Sequence, residues 1–123
     1  MPEHTPTEPV RVIVATPLAP ELVARIAAVD PRVEVVAEQD LLPPMRHPAD
    51  FDGDPSFHRT PEQQARFEAL VDSADVLYGI PDVKPAQLAR TVAANPKLQW
   101  VQVMAAGGGG QVMAADLDRK SVV

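Results

Sequence analysis

The chain contains no cysteine. Disulfide frameworks, thiolate metal sites and a cysteine nucleophile are therefore excluded, and the composition suits a reducing cytoplasm. Basic residues are in the minority, with 11 Lys and Arg against 17 Asp and Glu and a formal net charge of −6 at pH 7. No basic footprint draws the chain toward a phosphate backbone or an anionic membrane, so neither nucleic acid nor membrane is an expected partner. No apolar run reaches the length of a membrane span. The opening MPEHTPTEPV is polar and proline-rich, without the basic and apolar regions of a signal peptide. The expected setting is the cytoplasm. Histidine is scarce as well: His4 sits in the tail, and His47 and His58 fall in one loop. No Ser-His-Asp spacing or paired-carboxylate constellation supports an acid–base centre.

What the chain does have is 46% hydrophobic content in 123 residues, enough for one core and too short for two ordinary domains. Its 14 prolines mostly punctuate periodic segments. After a tail over residues 1–9 expected to be disordered, VRVIVA (10–15) is a β-branched run of the kind buried on both faces of a parallel sheet. PELVARIAAVD follows as a short crossover helix, with Pro20 in its first turn, Leu22, Ile26 and Val29 on one face, and Asp30-Pro31 as its stop. RVEVVAE (32–38) reads as a more charged second strand that suits an edge.

Residues 40–59 form a long proline-rich loop without a period, a feature more often functional or mobile than neutral. Thr60 then offers an N-cap, with Pro61 in the first turn, Gln63 at the capping-box position, and Phe67, Leu70 and Val71 facing inward. DVLYGI (75–80) is a third strand, KPAQLARTVAANP (84–96) a helix opened by Pro85 and closed before Pro96, and LQWVQVM (98–104) a fourth strand. SVV would begin a fifth, after a Gly-rich turn and poorly anchored segment over 107–123. Trp100 is expected in the core, and Tyr78 is left between packing and a ligand role.

Strands alternating with helices at this spacing predict a flavodoxin-like α/β fold: an open parallel sheet ordered 2-1-3-4-5, its fifth strand cut short, with helices on both faces. Ligands on such sheets bind beyond the carboxyl ends of the strands. That rim comprises Thr16 to Ala19, Gly79 to Pro81, and Ala105 to Gly110.

Several chemistries fit the fold and fail on residues. A phospho-receiver needs acidic residues after strand one and an aspartate closing strand three, and ATPLA and YGIP offer neither. A flavodoxin needs a phosphate loop after strand one, where Pro17 and Pro20 remove donors. A dinucleotide fingerprint starting at Gly107 or Gly108 needs a small residue at 112 or 113, and those are Val112 and Met113. His47, Asp50, Asp52, Asp54 and His58 raise a metal question. Counted from Asp50, however, Pro55 occupies the glycine position of an EF-hand and Pro61 its bidentate glutamate position. A solvated acidic loop is the expectation, with no metal.

The run SADVLYGIPDVKPAQLARTVAANPKLQWVQVMAAGGGG resembles the N-terminal substrate domain of the D-isomer-specific 2-hydroxyacid dehydrogenases, in which an ADVLYGI-like strand and a helix precede a PKLxWVQ strand ending in a small-residue turn. RVIVATPLAPELVARI agrees with the family's strand order before it. The resemblance implies an NAD(P)-dependent oxidoreductase interconverting 2-keto and D-2-hydroxy acids. Backbone amides of Ala106 and Gly107, with Gly108 adjacent, would meet the substrate carboxylate, and Tyr78, Gly79 and Ile80 would line the same cleft. Where the family turn continues with Val or Thr and an Asp, this chain reads Gly108-Gly109-Gly110. The family's dinucleotide fingerprint and catalytic Arg, Glu and His lie beyond the region matched. The chain is therefore expected to be a truncated substrate domain that is inactive alone. It would have no cofactor site and no catalytic residue of its own, bind a small 2-keto or 2-hydroxy acid weakly, lack its NAD-binding domain, and pair as a homodimer through its strand-four side or an exchanged C-terminal segment. The other class of reading is a stand-alone α/β binding or assembly module.

Overall fold

The computed structural model describes residues 9–50 and 52–102, together with the strand at 121–122. The tail before residue 9 and the segment 103–120, which contains the expected glycine-rich turn, lie outside the described residues. Strand β1 (Val10–Val14), helix α1 (Pro20–Ala27), β2 (Val33–Val36), α2 (Pro61–Val71), β3 (Val76–Tyr78), α3 (Pro85–Ala94), β4 (Trp100–Gln102) and β5 (Ser121–Val122) follow in chain order. The sheet is parallel throughout and ordered β2-β1-β3-β4-β5, the flavodoxin-like order, with β5 only two residues long. No helix among the described residues is long and apolar enough to cross a membrane.

Register sets the core. Val36 lies opposite Ile13, Ile13 opposite Leu77, and Leu77 opposite Val101. Because side chains alternate across a strand, these four share one face, and Ile13, Leu77 and Val101 are fully buried. The two rightward crossovers place α2 and α3 over one face, and the leftward one places α1 over the other. The two helices α2 and α3 are tied together, with Arg90 in a bidentate pair with Asp72 at 2.8 and 3.2 Å. Their partnership explains why one row stays buried out to β4.

Trp100 belongs to the opposite row, and the expectation that it is core is overturned: it is 45% exposed. Residue type argues for packing, but burial here depends on having a helix overhead, and α1, on the same face as Trp100, packs at the other edge of the sheet, on β2. Tyr78 in the same row is half-buried against the core.

Helix α2 forms as its sequence predicts. Thr60 Oγ1 accepts from the Gln63 backbone N–H at 3.1 Å, and Gln63 Oε1 accepts from the Thr60 N–H at 2.9 Å, a complete capping box. Phe67 and Val71 are buried, with Leu70 packed against the core. Helix α1 is shorter than its pattern suggests. Its last turn tightens, with Val29 N–H donating to Ile26 O, and the residue before Pro31 is driven out of the helical region. Val29 consequently lies beyond the helix at 77% exposure, Leu22 is also exposed, and Val23 and Ile26 face inward. Asp30 closes this turn by accepting from the Arg32 N–H at 2.8 Å. The paired Arg32 guanidinium and that bond hold its carboxyl down to about 2.

Asn95 closes α3 and joins it to α2. Its fully buried amide donates to Val71 O at 3.1 Å and Ala74 O at 2.8 Å, and its carbonyl accepts from Lys97 N–H. Asn95→Ala removes the amide donor from Ala74 O and leaves Val71 O with only the Ala74 N–H at 3.3 Å, beside a small cavity, and should lower the unfolding free energy in urea by about 2 kcal/mol. A loss below about 1 kcal/mol would mean that the amide is not a structural pin.

Candidate functional site

In the order β2-β1-β3-β4, the connection after β1 runs to one side and that after β3 to the other. The carboxyl ends of these two strands therefore flank the topological switch point, the crevice where open α/β sheets take their ligands. The β1–β3 ladder reaches this rim through Ala15 N–H to Tyr78 O at 2.9 Å, and the β3–β4 side through Gly79 N–H to Gln102 O at 2.9 Å.

Directly above, Thr16 packs against Gly79. Gly79 has φ of +100°, and a Cβ there would lie 2.9 Å from Thr16 Cβ and closer still to its Oγ1 and Cγ2. Only glycine allows both the conformation and the approach. Thr16 is 2% exposed, and its hydroxyl has no hydrogen-bond partner among the described residues. A buried hydroxyl without a partner is costly in a folded protein and calls for an explanation.

Of the residues expected to line the cleft, Gly79 stands at its base, Tyr78 is half-buried beside it, and the Ile80 side chain points into the core. Ala106, Gly107 and Gly108 lie outside the described residues. The Gly79 N–H is used in the sheet, and the buried side-chain polar atom that the described rim leaves without a partner is the Thr16 hydroxyl. Sequence reasoning placed Thr16 on the rim without singling it out. Its signal is a lone polar residue closing the apolar run VRVIVA just before Pro17.

The turn after β3 is strained. Asp82 and Val83 both have positive φ, +56° and +52°, each costing of order 1–3 kcal/mol. Arg59 holds this turn. Its NH1 donates to Asp82 Oδ2 at 3.1 Å and its NH2 lies 2.9 Å from Oδ1, while Nε donates to Leu41 O at 2.6 Å. The guanidinium sits 3.8 Å over the Phe67 ring and its side chain is 6% exposed. One buried fork thus joins the long loop, the start of α2 and the β3 turn. No local pattern signals this fork, because its partners are 18 and 23 residues away.

The long loop is ordered by its own polar groups. Leu41 and Leu42, at the end of a 3-10 turn (Gln39–Leu41), are core residues. Asp50, expected on a solvated loop, is instead 4% exposed. It accepts from Arg46 Nε at 2.7 Å, Arg46 N–H at 3.1 Å and Gly53 N–H at 3.2 Å. The Arg46 side chain first, then these backbone donors, hold the Asp50 carboxyl well below the usual carboxylate range. Asp54 is turned toward Ser56, whose N–H and hydroxyl donate to it. Asp52, Asp54 and His58 line a polar cavity of about 420 Å³ with Arg59, Asp82 and Lys84. No three His, Asp or Glu side chains among the described residues are grouped as a metal site would require.

A depressed carboxyl contributes stability that is present above its unfolded value, near 3.9, and is lost as pH falls through the lower folded value. Arg46→Gln removes the main cause of the depression at Asp50. Urea unfolding should therefore show the variant less stable than the parent at neutral pH, with the gap narrowing below about pH 4. A gap independent of pH would show that the pair does not set the titration. No protein-family model, curated protein or solved structure matches the chain.

Proposed function

We propose that this chain is the substrate-binding domain of an NAD(P)-dependent D-2-hydroxyacid dehydrogenase of the cytoplasm. It would hold the carboxylate of a small 2-keto or 2-hydroxy acid at the β1/β3 switch point and be inactive by itself. The observation that carries this reading is the buried, unpartnered Thr16 hydroxyl at the carboxyl end of β1, packed on Gly79. A hydroxyl donating to a carboxylate makes a charge-assisted bond stronger than a neutral one, which would offset the cost of leaving that donor unpaired in the free protein. The resemblance of residues 74–107 to the family's substrate domain adds the amides of Ala106 and Gly107 as further carboxylate donors. NAD or NADP and the acid–base pair would come from a separate nucleotide-binding domain, because the 123 residues contain neither a dinucleotide fingerprint nor a Ser-His-Asp or paired-carboxylate constellation.

A second reading, a stand-alone α/β module that assembles as a homodimer through its β4 side, is favoured by the exposed Trp100. A contiguous exposed apolar patch marks an association surface, and Trp100 would be a member of one on this side of the sheet.

Thr16→Val separates function from stability at the rim. Removing an unpaired buried hydroxyl should leave stability unchanged or raise it by up to about 1 kcal/mol. It should also weaken the amide NMR shifts that pyruvate induces at Gly79 and Ile80 several-fold, and neither protein should bind NADH saturably. Pyruvate shifts of equal size in both proteins would remove Thr16 from the site. For the second reading, sedimentation equilibrium at ~100 μM, far above the micromolar affinity of a modest interface, should show a dimer that Trp100→Gln weakens. A monomer at that concentration would rule it out.

A further inference from the structure

The rim has an apolar neighbour. A cavity of about 350 Å³ opens between the start of α1 and the long loop, lined by Leu18, Leu22, Met45, Pro48 and Ala49, with Glu21 contributing the one ionisable side chain. Its volume falls in the range of about 300–1,000 Å³ typical of small-molecule sites. Leu18 is two residues beyond Thr16, so this wall begins within about 7 Å of the proposed carboxylate contact.

The far wall is preset. Ala49 has φ of +63°, and the following residue, Asp50, is the carboxylate that Arg46 and Gly53 lock in place. Ala49 and Pro48 are therefore held against α1 by an ion pair whose carboxylate is buried. Preorganisation of this kind spares a ligand the cost of ordering the loop.

We infer that this cavity receives the side chain of the substrate, so that the acid bound at the rim is a monocarboxylic 2-keto or 2-hydroxy acid with a branched or long aliphatic chain. This rests on the rim's being the carboxylate site. An apolar wall rewards each buried methylene, whereas pyruvate offers only a methyl group. A second carboxylate in the cavity would be desolvated beside Glu21 without a cation among the lining residues, so dicarboxylic acids are disfavoured.

Amide NMR titrations of the whole chain with 4-methyl-2-oxopentanoate, pyruvate and 2-oxoglutarate test this. The branched acid should bind about tenfold to fiftyfold more tightly than pyruvate, the upper figure being that expected if its three additional carbons are fully buried. Its shifts should appear both at Gly79 and Ile80 and at Leu22, Met45 and Ala49, while 2-oxoglutarate binds no better than pyruvate. Leu22 is exposed on α1, and Leu22→Gln should bring the ratio between the branched acid and pyruvate close to one. Equal affinity for the branched acid and pyruvate, or tight binding of 2-oxoglutarate, overturns the side-chain pocket and leaves the carboxylate reading standing, as does a ratio unchanged in Leu22→Gln. Shifts absent from Gly79 and Ile80 with all three acids overturn the carboxylate reading itself.

Discussion

The close approach of Thr16 to Gly79 is the constraint on which the rest of the rim depends. Two strands whose connections leave in opposite directions must part at their carboxyl ends, and the gap is where a ligand can enter. Here a single missing Cβ lets the gap close to van der Waals contact at its base. The result is a floor made of backbone, with one hydroxyl standing on it unpaired. Among the described residues, the Arg59 and Arg46 contacts hold the segments that stand beside it.

The walls are held by arginines. Arg59 joins three segments through one buried guanidinium, and the two positive φ values at Asp82 and Val83 persist because the surroundings over-determine them. Lysine could not replace it, since the planar fork and the stacking on Phe67 both need a guanidinium. Arg46 does the same for the 46–53 loop by satisfying Asp50. A long, proline-rich connection that would otherwise cost much conformational entropy is fixed by two ion pairs and by Leu41 and Leu42 in the core. An unusually long loop is thereby turned into a preorganised side of a pocket.

The sheet and its helices were legible because their signals are local. β-branched runs, prolines in first turns and the Thr60–Gln63 capping box each act within a few residues, and the parallel order follows from the alternation. What could not be read depends on distant partners. Trp100 looks like core by type, yet its exposure follows from its row, which points away from the face that α2 and α3 cover among the described residues. Val29 fits the helical period but falls past a helix stopped by Pro31. Gly79 was placed on the rim from the sequence, while the reason it must be glycine lies 63 residues earlier, at Thr16. Arg59, Asp82 and Asp50 are ordinary polar residues in a polar stretch until the fold brings their partners to them.

If the Thr16–Gly79 contact sets the rim, the two positions must be energetically coupled. A double-mutant cycle of Gly79→Ala and Thr16→Ala, followed by urea unfolding, measures this directly. Gly79→Ala should cost about 3 kcal/mol or more with Thr16 present, from overlap and a strained φ. With Thr16→Ala, which removes the Oγ1 and Cγ2 atoms that a new Cβ would meet, that cost should fall by at least about 1 kcal/mol. Costs that simply add, to within about 0.5 kcal/mol, would contradict the contact and the account of the site built on it.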